Sequence, residues 1–125
     1  MANGTIAFDT LQTSGQITGT AKSVDTDYVV NGSAKAWHQS DSSASPSDSL
    51  NISGGTDNGT GDYTYSFTNS MGSVSFSPPH ITAADANNNL HAHTRATGSV
   101  RVNNVNEAAA ARDANNAGTV HGDLA

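Results

Sequence analysis

At 125 residues and a formal net charge of −6, this chain has room for one domain and not for two of ordinary size. Five Lys and Arg stand against eleven Asp and Glu, which excludes a basic footprint for nucleic acid or an anionic membrane surface. Cys is absent, so disulfides and thiolate metal sites are excluded too, and no stretch approaches the ~18 apolar residues of a membrane span.

Val, Ile, Leu and Phe together make up about 15% of the chain, and its bulk is Ala, Ser, Thr, Asn and Gly. A domain this small, with so few large apolar side chains, buries only a thin core by itself. Self-association or docking on a larger assembly is the expected remedy. The start, "MANGTIAFDT", lacks the basic and apolar regions of a secretion signal, so synthesis without a secretion address is expected.

In chain order, "NGTIAF" (3–8) alternates weakly and reads as a short strand. The stretches "SGQITGTA" and "DTDYVVNGSAKAWHQ" follow as two or three strands punctuated by Gly15, Gly19 and Gly32. Within the second, Lys35, Trp37 and Gln39 share one face, and Ala34, Ala36 and His38 the other. Segment 40–48, "SDSSASPSD", reads as a polar loop. "SLNIS" resumes a strand with Leu50 and Ile52 on one face. Asn58-Gly59 then predicts a two-residue hairpin turn, since both residues tolerate positive φ. Beyond it Tyr63, Tyr65 and Phe67 occupy every second position, an aromatic face on a half-buried strand. "GSVSFS" repeats the alternation with Val74 and Phe76 until Pro78-Pro79, and residues 81–96 are ambiguous between helix and strand. "GSVRVNNV" predicts a strand with Val100 and Val102 on one face. "NEAAAARDANNAG" is the one good helix candidate, and "TVHGDLA" a last strand.

The succession "YVVNGSAKAWHQ", "DSLNISGGTDNGTGDYTYSFTNSM" and a terminal "VHGDLA" resembles a group of small marine-bacteriophage structural proteins labelled tail-fibre-like. The matching positions are Val30 to Trp37, Asp48 to Ser53, Thr56 to Thr64, Phe67, Thr68, Met71, and Gly122 to Ala125. The resemblance covers most of residues 28–76 and the last few, and departs from the pattern between 80 and 117. It implies a largely β, oligomeric virion surface protein, and carries over no catalytic or ligand-binding residue.

Other constellations weigh less. In an extended "LHAHT", His91 and His93 lie on one face, and imidazole suits Zn, Ni, Cu and Fe. A trimer would bring three such pairs to its axis, but ordinary packed or exposed histidines are the simpler expectation. "TDNGTGD" has neither the oxygen-ligand spacing nor the closing Glu of a Ca²⁺ loop. Nucleophile and metalloprotease motifs (GxSxG, HExxH) are missing, so no enzyme activity, no metal and no cofactor are expected. Four N-x-S/T triplets are what so much Asn, Ser and Thr yields by chance. A lone Trp37 among alanines marks core or interface more often than a sugar platform.

The expectation is therefore mainly β: a small antiparallel sandwich or barrel with one short helix. Residues 1–24 form an N-terminal arm or short strands, and residues 25–125 a single β-rich domain. The functional expectation is a bacteriophage structural protein made in the host bacterial cytoplasm and carried on the virion exterior. Length favours a capsid decoration or cement protein, a trimer or hexamer gripping the major capsid protein, since a fibre needs attachment, shaft and tip. The resemblance favours a tail-fibre or spike module. Ile6, Phe8, Leu11 and Trp37 are the candidate interface residues, the first three because an arm without its own core must pack on something else.

Overall fold

Alternation does most of the work in this chain. The computed structural model describes residues 32–77, 80–83 and 88–125, so the expected arm 1–24, with Ile6, Phe8 and Leu11, lies outside the described residues. Eight strands follow in order: β1 (Ala34–Ser40), β2 (Pro46–Leu50), β3 (Ile52–Gly59), β4 (Asp62–Phe67), β5 (His80–Ala83), β6 (Asn88–Ala96), β7 (Ser99–Asn106) and β8 (Asn116–His121). They form two antiparallel four-stranded sheets, β2-β1-β8-β5 and β3-β4-β7-β6. The sheets bury their facing sides against each other as a small β-sandwich.

The centre of the core is the one the periodicity predicts, with Ala44 and Met71 added to it from outside the strands. Tyr63, Tyr65 and Phe67 of β4 point inward beside Val100 and Val102 of β7, facing Ala36 and Val120 across the gap. Phe76 closes one end edge-on to Phe67, with ring centroids 5.8 Å apart. Phe76 does so from a bend, not from the predicted strand, and Val74 beside it is exposed. Within the stretch 81–96, ambiguous in sequence, residues 81–83 and 88–96 are strand.

The predicted helix is absent, and the chain instead reverses after Asn106 in a tight loop closed by that side chain. Asn106 Oδ1 accepts from the backbone N–H of Ala108 (3.0 Å) and Ala110 (2.9 Å), and Ala109 adopts φ 58. The Asn106 N–H in turn donates to the Ala110 carbonyl. "DSSAS" at 41–45 is built the same way: Asp41 Oδ1 accepts from Ser43 and Ser45, Asp41 N–H donates to the Ser45 carbonyl, and Ala44 has φ 60. Asn and Asp offer the backbone this alternative to a helix, and here it outweighs four consecutive alanines. The predicted polar loop 40–48 thus contracts to 41–45, with β2 beginning at Pro46.

Two more expectations are corrected. Asn51 adopts φ 55 and breaks "SLNIS" where the chain leaves one sheet for the other, so Leu50 faces out while Ile52 packs on the core. Asn51 holds that crossing with its own amide, accepting from Asn69 N–H and donating to the Lys35 and Asn69 carbonyls. The β3–β4 turn is Thr60-Gly61, not Asn58-Gly59, since Gly59 pairs with Asp62 and Asn58 sits in a bulge. Gly61 takes φ +67 and is clasped from two sides: its N–H donates to Asp113 Oδ1 of the 107–115 loop and its carbonyl accepts from Asn104 N–H of β7. That clasp, made far along the chain, sets the register.

Candidate functional site

Three places concentrate side-chain chemistry, and the deepest was not expected. β1 sends His38 inward, where its ring stacks on Tyr65 of the opposite sheet at 3.8 Å between centroids. Asn116, at the start of β8, donates from Nδ2 to the Ala114 carbonyl, which turns its Oδ1 toward both rings. That oxygen accepts the Tyr65 hydroxyl at 2.8 Å and His38 Nε2 at 3.0 Å. An acceptor at that position places a proton on Nε2. His38, Tyr65 and Asn116 thus form a buried polar seam between the sheets, ending beside Ser40. A second tyrosine ties the loops: Tyr63 OH accepts Ala114 N–H and lies 3.2 Å from both Asp113 Oδ1 and the Ser42 carbonyl. Burial above all pushes its hydroxyl pKa up to about 12.

Burial lowers the His38 pKa, and the Asn116 hydrogen bond offsets only part of that. The unfolded chain therefore takes up this proton first as pH falls. Stability from the neutral imidazole is fully present above about pH 6.5 and declines below it by up to about 1.4 kcal/mol per pH unit, until the folded-state pKa is reached. Urea midpoints measured from pH 7.5 to 5 are expected to fall in the native protein and to stay flat through that window in His38→Gln. Asp62 contributes in a lower window, because Arg101 holds its carboxyl below the ordinary value. Its share is lost only as pH falls below the unfolded carboxylate range through that lowered pKa.

On the outer face of the β2-β1-β8-β5 sheet, Trp37 of β1 lies directly across from Leu50 of β2 and Thr119 of β8. Trp37 is half-buried, and Leu50 keeps 48% of its surface in solvent. Of the predicted interface residues, Trp37 is thus on a surface and not in the core. Its partner Leu50 was missed because the left-handed kink at Asn51 carries no alternation signal.

The outer face of the other sheet is polar. Asp62, Thr64, Arg101 and Asn103 stand in two cross-strand rows, facing Thr94 and His91 of the edge strand β6. Arg101 grips Asp62 with both Nε (2.7 Å to Oδ1) and Nη2. Asn58 donates to Thr64 Oγ1 at 2.9 Å. His91 and His93 are both exposed on β6, and a bulge falls between Ala92 and Thr94. Among the described residues, no three His, Asp or Glu side chains gather closely enough to hold a metal ion. No family model, curated protein or solved structure matches this chain.

Proposed function

We propose that this chain is a structural protein of the bacteriophage particle exterior, a capsid decoration protein that self-associates and grips the major capsid protein. The observation that carries the reading is the outward Trp37–Leu50 pair on the β2-β1-β8-β5 sheet, an apolar surface that a protein contact would cover. The resemblance of residues 28–76 and the terminal "GDLA" to phage structural proteins supports the same reading. A thin core in a chain of 125 residues also fits a subunit whose stability is completed by partners. A cement protein works by binding only the assembled shell, which shifts the assembly equilibrium by mass action. Nucleic acid and membrane are not partners in this reading. Residues 2–12, with Ile6, Phe8 and Leu11, are the proposed clamp.

Deleting residues 2–12 is expected to abolish binding to capsids while circular dichroism of the β-domain stays unchanged; undiminished binding removes the clamp. The tail-fibre reading, which the resemblance favours, is separated by copy number in purified particles. Quantitative mass spectrometry finding this chain in numbers comparable to the major capsid protein supports decoration. A count that is a small fraction of the capsid protein moves the chain to the tail and to host attachment.

A further inference from the structure

The edge strand β6 departs from regular pairing at one point. Ala92 lies opposite Val102 and Thr94 opposite Arg101, so His93 has no cross-strand partner on β7. Bulges of this kind re-aim side chains and are common beside binding sites. Here the bulge opens a cleft of about 260 Å³ lined by Ala92, His93, Thr94 and Arg95. That is below the roughly 300–1,000 Å³ of drug-sized pockets and suits one sugar-sized group or smaller.

The charge of the β6–β7 hairpin runs against that of the chain. Two of its three arginines, Arg95 and Arg101, and two of its five histidines, His91 and His93, lie on the β6–β7 hairpin of a protein with net charge −6. Asp62 faces the same region, and Arg101 already binds both of its oxygens. Arg95 is held in place: Nη1 donates to the Phe76 carbonyl at 2.9 Å, and the guanidinium carbon lies 6.0 Å from the Phe76 ring centroid. A guanidinium carries five N–H donors in a planar fork, the geometry that matches a carboxylate or phosphate. Thr94 Oγ1 lies 3.3 Å from His93 Nδ1; with the hydroxyl donating, the neutral ring presents Nε2–H as a further donor. One fixed guanidinium with an imidazole donor beside it, both lining a small concave volume, suits an oxyanion.

We propose that the cleft at the β6 bulge binds an oxyanion borne on a sugar-sized group, a uronic-acid carboxylate or a sugar phosphate, through Arg95 and His93. The site is independent of whether the chain decorates the head or belongs to the tail. The test is a titration of the ¹⁵N-labelled full chain with glucuronate, glucose 6-phosphate and glucose, followed at the backbone amides of residues 92–95. Saturable shifts with either charged sugar, and none with glucose, are expected, and the stronger of the two identifies the source of the oxyanion. Arg95→Gln and the exposed His93→Gln are each expected to weaken binding roughly tenfold, the scale of one charge-assisted hydrogen bond. His93→Gln keeps the test decisive if losing the Phe76 contact destabilises the arginine variant. Equal shifts with glucose, no saturable shift with either charged sugar, or unchanged affinity in both variants overturns the assignment.

Discussion

Replacing Gly55 with alanine is expected to destabilise the domain by about 3 kcal/mol or more, while the same change at its neighbour Gly54 leaves it folded. The two glycines sit side by side on β3 but face opposite ways. A Cβ at Gly55 would lie 1.9 Å from the Ala44 carbonyl oxygen and 3.1 Å from Tyr65 Cε1, whereas a Cβ at Gly54 meets nothing within 4 Å. Ala44 cannot retreat easily, because Asp41 fixes its loop through Ser43 and Ser45, and Ala44 itself is fully buried. Overpacking against backbone has no flexible side chain to absorb it. For a domain of this size the loss is a fall of roughly 10 °C or more in Tm. Gly54→Ala instead removes a flexible residue from the strand and is expected to gain about 0.5 kcal/mol. Thermal and urea unfolding of the two variants decides it, and comparable midpoints would show that the 41–45 loop does not pack on β3.

Asn116→Ala is the second large effect. Its Oδ1 is the acceptor for two buried donors, the Tyr65 hydroxyl and His38 Nε2–H. Removing it strands both, at about 1–3 kcal/mol each, so a loss of roughly 2–5 kcal/mol is expected by urea unfolding. Tyr65→Phe removes one donor and leaves His38 still paired, and about 1 kcal/mol is expected. The pH dependence supplies a second readout. The Asn116 bond raises the His38 pKa against burial, so losing it lowers the folded-state pKa further. The acid-sensitive window then extends to lower pH in Asn116→Ala. Equal losses in the asparagine and tyrosine variants, with an unchanged window, would remove the seam as a shared network.

Both effects arise from contacts between segments far apart in the chain, and the same distance limits what could be read beforehand. Tyr63, Tyr65 and Phe67, like Val100 and Val102, announce their faces because a strand alternates with period two wherever one side is buried. His38 also alternates correctly with Ala36, yet nothing near it in sequence points to Asn116, its partner in the seam. The surface pair shows the same limit. Trp37 stood out by its rarity, but Leu50 joins it only through a cross-strand register.

The sequence by itself determined that this is a mainly β domain, that β4 and β7 carry much of the core, and which face of those two strands is apolar. Those properties rest on local alternation and on turn residues, and each strand carries them in its own text. Tertiary structure alone decided the Thr60-Gly61 turn, the outward turn of Leu50, the buried seam and the loop that replaced the helix. Each of these is settled by an acceptor or a packing partner supplied from another strand, or by a side chain such as Asp41, Asn51 or Asn106 whose amide or carboxylate competes with the backbone's own hydrogen bonds. Propensity ranks a residue's preferences among conformations, and the partner that satisfies its polar groups selects one of them.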